Sequence, residues 1–140
     1  MEIETPRRKV IQDGKGKATI EWNPNFGHNW NNKFNNTQKF IDSECLRLMD
    51  PYISFKSGML KQSGILGSNI GSGMLEYTAI YARYQYYWKV MVGKAPKRVT
   101  NKNLVYTGGP MRGSYFFERM KNDHKQEILK NAAKMAGGNI

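Results

Sequence analysis

Two histidines, one cysteine and a run of glycines are the residues of this 140-residue chain whose types invite a chemical reading. His28 and His124 stand far apart, and no Asp or Glu pair joins either at ligand spacing, so no metal centre is expected. His28 belongs to the Asn-rich run Asn25-Phe26-Gly27-His28-Asn29 and reads as a capping or solvated residue. His124 falls on an apolar helix face and reads as a core or interface histidine. Gly64, Gly67, Gly71 and Gly73 look like a phosphate loop at a glance. A Walker loop needs Lys-Ser or Lys-Thr after its last glycine, so that an ammonium meets the β- and γ-phosphates. Gly73 is followed by Met74-Leu75. A dinucleotide fingerprint needs G-x-G-x-x-G after a strand and an acid about 20 residues on, and that spacing is absent. No G-x-S-x-G elbow and no convergent carboxyl pair is legible either. The single Cys45 excludes an intramolecular disulfide and a cysteine-rich zinc site. The expectation is a protein that is not an enzyme, with no cofactor.

The anomaly is electrostatic. Lys plus Arg number 22 and Asp plus Glu 11, a formal net charge of +11. Between Glu76 and Glu118 there is no acid, while Arg83, Lys89, Lys94, Lys97, Arg98, Lys102 and Arg112 supply seven bases. Tyr81, Tyr84, Tyr86, Tyr87, Trp88 and Tyr106 are interleaved with them. Cations with stacking rings make single-strand nucleic-acid surfaces. Tyr, Trp and Arg are equally the favoured anchors of protein interfaces. A third reading packs the aromatic run on a helix and leaves the lysines solvated. The candidate interface residues are therefore Tyr81, Arg83, Tyr84, Tyr86, Tyr87, Trp88, Lys94, Lys97, Arg98, Lys102 and Arg112.

The elements that must position these residues follow from periodicity. Trp30, Phe34, Thr37, Ile41, Cys45 and Leu48 recur at intervals of four or three, one face of an α-helix that Asp50-Pro51 ends. At 1.5 Å per residue such a rod is about 35 Å long and needs a covering surface. Cys45 lies on its stripe as a small buried hydrophobe. A second helix carries Phe117, Met120, His124, Ile128, Ala132 and Met135 on one face and stops at Gly137-Gly138. Between them, residues 57–64 suit a short helix closed by Gly64. Residues 64–70 and 74–79 suit two strands around a Gly-rich turn. Lys89–Gly93 is β-prone, and 93–113 reads as a long polar loop with a short strand around Leu104-Val105-Tyr106. Gly58, Gly64, Gly71 and Gly73 are expected at turns that need a positive φ. Residues 1–18 read as an arm, in which Asp13-Gly14 can close a hairpin, and 19–140 as a single domain. The class is α+β: a long N-terminal helix and a C-terminal helix on a small antiparallel sheet, with a short helix and a long loop. Hydrophobic residues at 39% and charged residues at 24% suit a globular domain. No stretch approaches the roughly 18 apolar residues of a membrane span. Glu2 and Glu4 stand where a secretory signal carries Lys or Arg. The expectation is a soluble protein made in a reducing cytoplasm, with no membrane partner.

Four blocks in order resemble the minor capsid proteins of long-tailed bacteriophages, small head–tail connector, neck or tail-completion proteins. They are Trp22-Asn23-Pro24-Asn25-Phe26, opening the helix that ends Leu46-Arg47-Leu48-Met49-Asp50-Pro51-Tyr52-Ile53; Phe55 to Ser63; Tyr81-Ala82-Arg83-Tyr84-Gln85-Tyr86-Tyr87; and Pro110 to Met120. Ser57 stands where this family usually has Thr, which keeps the hydroxyl. The resemblance covers about Ile20 to Gly137 and leaves residues 1–18 outside it. It implies a connector-like domain in a virion neck, made in the bacterial host. It implies a homo-oligomeric ring, sixfold or twelvefold, docked to head-completion and tail-terminator proteins, with transient contact to DNA in the channel. It implies no catalytic residue. A stand-alone basic nucleic-acid-binding protein is the alternative.

Overall fold

A computed structural model describes residues 2–87 and 89–138. Two hairpins and four helices follow one another: β1 (Lys9–Asp13), β2 (Gly16–Ile20), α1 (Phe26–Met49), a 3-10 turn (Asp50–Tyr52), α2 (Met59–Gly67), α3 (Ala82–Tyr87), β3 (Lys89–Val92), β4 (Arg98–Asn103) and α4 (Phe116–Met135). The class is α+β, as the periodicity implies.

α1 forms where the apolar stripe runs, and Asn23 sets its entry: its carbonyl accepts from Phe26 N–H at 2.9 Å and its side chain from Asn25 N–H at 2.9 Å. Pro51 cannot continue the α-helical ladder, so the chain tightens into the 3-10 turn and leaves it extended at Ile53. α4 lies along α1, stops at Ala136 and turns at Gly137, whose φ of 92° is the left-handed residue expected after a helix. The core gathers where the C-terminal end of α1, the 3-10 turn, α2, α3 and the N-terminal half of α4 meet. Met49, Ile53 and Met120 are each 1% exposed. Burying a side chain of that size stabilises the fold by roughly 1.5–3 kcal/mol. Tyr52, Leu60, Ala82 and Phe116 belong to the same cluster, and Ile128 extends it along α4.

The strands form two separate antiparallel hairpins. In the first, Lys9 faces Ile20 and Asp13 faces Gly16, with the Asp13 carboxylate accepting from Lys15 and Gly16 N–H at 2.8 and 2.9 Å. All ten of its strand residues are exposed. The chain ahead of it is tied to α1. Asn31 exchanges two hydrogen bonds with the Ile3 backbone, and the Thr5 hydroxyl accepts from Gly27 N–H at 3.0 Å. Gly27 is required there, since a Cβ would stand 2.4 Å from the Ile3 carbonyl oxygen.

Three sequence expectations are corrected. Residues 64–70 and 74–79 form no strand pair. The helix runs on through Gly64 to Gly67, and the glycine loop beyond it wraps α1. Gly64 is therefore no turn glycine: it is a buried helical residue with the Tyr77 ring against it, and only Gly58, Gly71 and Gly73 of the four have positive φ. The strand within 93–113 lies at Arg98–Asn103, where β4 pairs with β3, rather than at Leu104–Tyr106. Tyr106 instead returns to the core side, donating to the Gln85 carbonyl at 2.8 Å.

Candidate assembly surface and basic hairpin

The aromatic and basic segment divides into three environments. Tyr86 is half-buried against the core: its ring meets Phe116 at 4.9 Å and Tyr115 at 5.3 Å, and burial pushes its phenol above the usual value. Arg112 is also turned inward. Its guanidinium donates to the Gly108 carbonyl at 3.0 Å, to the Asp50 carbonyl at 2.7 Å and to the Ile53 carbonyl, and lies over the Phe55 ring. Arg119, which no sequence signal singled out, does the same for the Ser114, Met111 and Tyr52 carbonyls. These two cations donate to carbonyls of the irregular chain on either side of the 3-10 turn and before α4, adding to the bond that Ile53 N–H gives the Asp50 carbonyl. Tyr81, Arg83 and Tyr87 are exposed at α3, and Tyr84 is half-buried. Lys94, Lys97, Arg98 and Lys102 are exposed on the β3–β4 hairpin, none of them in an ion pair among the described residues. Lys97 lies 4.8 Å from the centre of the Tyr84 ring. Trp88 lies outside the described residues.

The glycine loop has an anion in its grasp, and it is the chain's own. Asp42, 3% exposed on α1, accepts from Gly71 N–H at 2.7 Å and Gly73 N–H at 3.1 Å through one oxygen, and from Gln38 Nε2 at 2.8 Å through the other. Positive φ at both glycines turns their N–H groups toward one point. A phosphate there would have to displace a buried carboxylate. Beside this clamp runs a mostly apolar cleft of about 610 Å³ between α1, α3 and the start of α4, lined by Ile41, Cys45, Leu75, Tyr77, Tyr86 and Phe117 among others. Burial raises the Cys45 thiol, with Asp42 and Glu44 adding to the shift. The same cause, burial first and then Asp50 and Cys45, pushes the Tyr77 phenol far up.

Exposed large apolar side chains are spread over the surface, on the first hairpin (Val10, Ile11, Ile20), before α3 (Ile80) and after β4 (Val105), as well as in two groups on the helices. Trp22, Phe26, Trp30 and Phe34 form a ladder of neighbouring rings at 5.2, 6.2 and 5.8 Å along the first turns of α1, and Trp22 and Phe34 are exposed. Met59, Ile65 and Leu66 are exposed on α2. Such surface is what a partner covers. Tyr52 and His124 meet at the α4 side: the Tyr52 hydroxyl donates to Asp123, which holds its phenol above the usual value. His124 stands 3.3 Å from that hydroxyl and is half-buried. His28 is exposed, with Asn32 at 3.0 Å.

Among the described residues, no group of three His, Cys, Asp or Glu could hold a metal ion, and no helix is long and apolar enough to cross a membrane. No protein-family profile, curated protein or solved structure matches this chain.

Proposed function

We propose that this chain is a structural protein of the neck of a long-tailed bacteriophage. It would act as a subunit of a homo-oligomeric ring, sixfold or twelvefold, joining the portal side of the head to the tail. It would be made in the host cytoplasm and carried in the virion. One observation carries the proposal: the four sequence blocks that resemble the phage minor capsid proteins converge on one framework. Gly113 N–H donates to the Tyr52 carbonyl at 2.8 Å, Tyr115 N–H to the Tyr86 carbonyl at 2.9 Å, and Arg112 grips the Asp50 carbonyl. The block from Phe55 to Ser63 joins through the Phe55 ring beneath Arg112.

The partly exposed aromatic ladder at the start of α1 and the exposed Met59, Ile65 and Leu66 of α2 suit the role, because a closed ring repeats one heterologous contact between two different faces. Head-completion and tail-terminator proteins would dock on the rims. No catalytic residue or cofactor is assigned. Inactivating the gene in the producing phage and imaging the lysate by electron microscopy tests the proposal. Separate heads and tails are expected; normally joined particles would overturn it. A second reading, a stand-alone basic nucleic-acid-binding protein, draws on the β3–β4 hairpin alone, and joined particles would favour it.

A further inference from the structure

We propose that the β3–β4 hairpin is a phosphate-binding finger that lies on the backbone of double-stranded DNA without reading its sequence. This does not depend on the neck role: it concerns what the folded chain binds through one element. The segment between Glu76 and Glu118 holds seven bases and no acid, against a net charge of +11 for the whole chain, so most of the excess charge resides there. The fold then sorts those bases. Arg112 is withdrawn into its carbonyl clamp, and Lys89 donates to Asn103 across the hairpin at 2.8 Å. Lys94, Lys97, Arg98 and Lys102 remain exposed on one two-stranded ribbon. Arg98 and Lys102 flank an irregular stretch of β4, where Met91 faces Val99 and Lys89 faces Asn103, so the strand carries two exposed bases within five residues.

The form of the element matters as much as its charge. A two-stranded ribbon is narrow enough for the major groove of B-DNA, about 12 Å wide. Among the described residues, the β3–β4 pair has no third strand on either edge. Its turn, Gly93-Lys94-Ala95-Pro96-Lys97, offers cations and small residues but no aromatic anchor of the kind that carries a protein interface. The side chains beside the bases on β4, Thr100, Asn101 and Asn103, are uncharged, so nothing on that strand repels phosphate. An acidic protein surface is the competing occupant and forms one arm of the test.

Fluorescence anisotropy of the full chain with a labelled mixed-sequence duplex, across about 50–200 mM salt, measures the affinity and its salt slope. Two triple variants remove the same charge: Lys94→Gln, Lys97→Gln, Lys102→Gln on the hairpin, and Lys125→Gln, Lys130→Gln, Lys134→Gln on the exposed side of α4. Each phosphate contact contributes about 0.9 to the slope, so the hairpin triple is expected to flatten it by about 2–3 and to weaken low-salt binding at least about tenfold. The α4 triple should weaken it less than about threefold. A Lys94→Gln, Lys102→Gln double, which keeps the Lys97–Tyr84 contact, should flatten the slope by about 2. Equal effects of the two triples, no binding by the unaltered chain at low salt, or tighter binding of poly-glutamate than of the duplex would each overturn the proposal. The last result would make the finger a dock for an acidic protein.

Discussion

Replacing Gly64 with alanine separates two accounts of one residue by the sign of the effect. In an ordinary helix interior, glycine to alanine stabilises by about 1 kcal/mol through backbone entropy. At Gly64 the new Cβ would stand 2.4, 2.6 and 2.9 Å from three carbons of the Tyr77 ring. That ring cannot swing away freely, because it packs on Phe116 at 5.3 Å and its hydroxyl meets the Met49 sulfur at 3.9 Å. Overpacking a core position costs about 1–3 kcal/mol. Three overlapping atoms on a confined ring place this case near the top of that range. The net expectation is a loss of about 2 kcal/mol, which for a chain of this size lowers Tm by roughly 6–10 °C. Thermal unfolding followed by circular dichroism reads it, and a double-mutant cycle assigns it. In a Tyr77→Ala background the same Gly64→Ala change should become neutral or stabilising, a coupling of about 3 kcal/mol. A raised Tm in the unaltered background, or the same shift in both, would refute the packing argument.

Asp42→Asn should release the glycine loop. Two backbone donors lose a charged acceptor, which costs about 2–4 kcal/mol, and hydrogen exchange at the Gly71 and Gly73 amides should accelerate; unchanged exchange would contradict the clamp. Stability should fall in alkali, because the Tyr77 phenol is held neutral in the fold while an unfolded tyrosine ionises near pH 10. The native state then binds more protons than the unfolded one, so the contribution is complete below about pH 10 and is lost as pH rises above it. Denaturant titrations from about pH 8 to 11.5 should show that decline, and Tyr77→Phe should flatten it; an identical decline in the variant would count against the assignment.

The long helices were legible because their stripes repeat at the helical period over five or more turns, a signal that neighbouring sequence does not dilute. The first hairpin was legible in its turn, since Asp13 caps the two N–H groups that follow, but not in its strands, whose sides are both wet and carry no alternation. β4 was hidden by its composition. Arg98, Asn101, Lys102 and Asn103 are poor strand residues, and pairing with β3 holds them, whereas the β-prone Leu104-Val105-Tyr106 crosses back toward Gln85. Gly64 was misread because a glycine near the end of a short helix pattern suggests a stop. Nothing local announces that an aromatic ring thirteen positions later needs the missing Cβ. Asp42 and Arg119 were missed for one reason. A charged residue on a helix reads as solvated, and its backbone partners (29 and 31 residues away for Asp42) leave no trace in spacing. The candidate interface residues were found by composition, which cannot distinguish an arginine caged by carbonyls from a lysine in water.

The neck role has the most direct test in complementation. Particles from a lysate lacking this gene product would be separated into heads and tails, mixed with the purified chain, and examined by electron microscopy and plaque count. The account predicts that heads and tails join and infectivity returns only when the chain is added. Unjoined particles in the presence of folded chain, with heads and tails competent to join by other means, would contradict it.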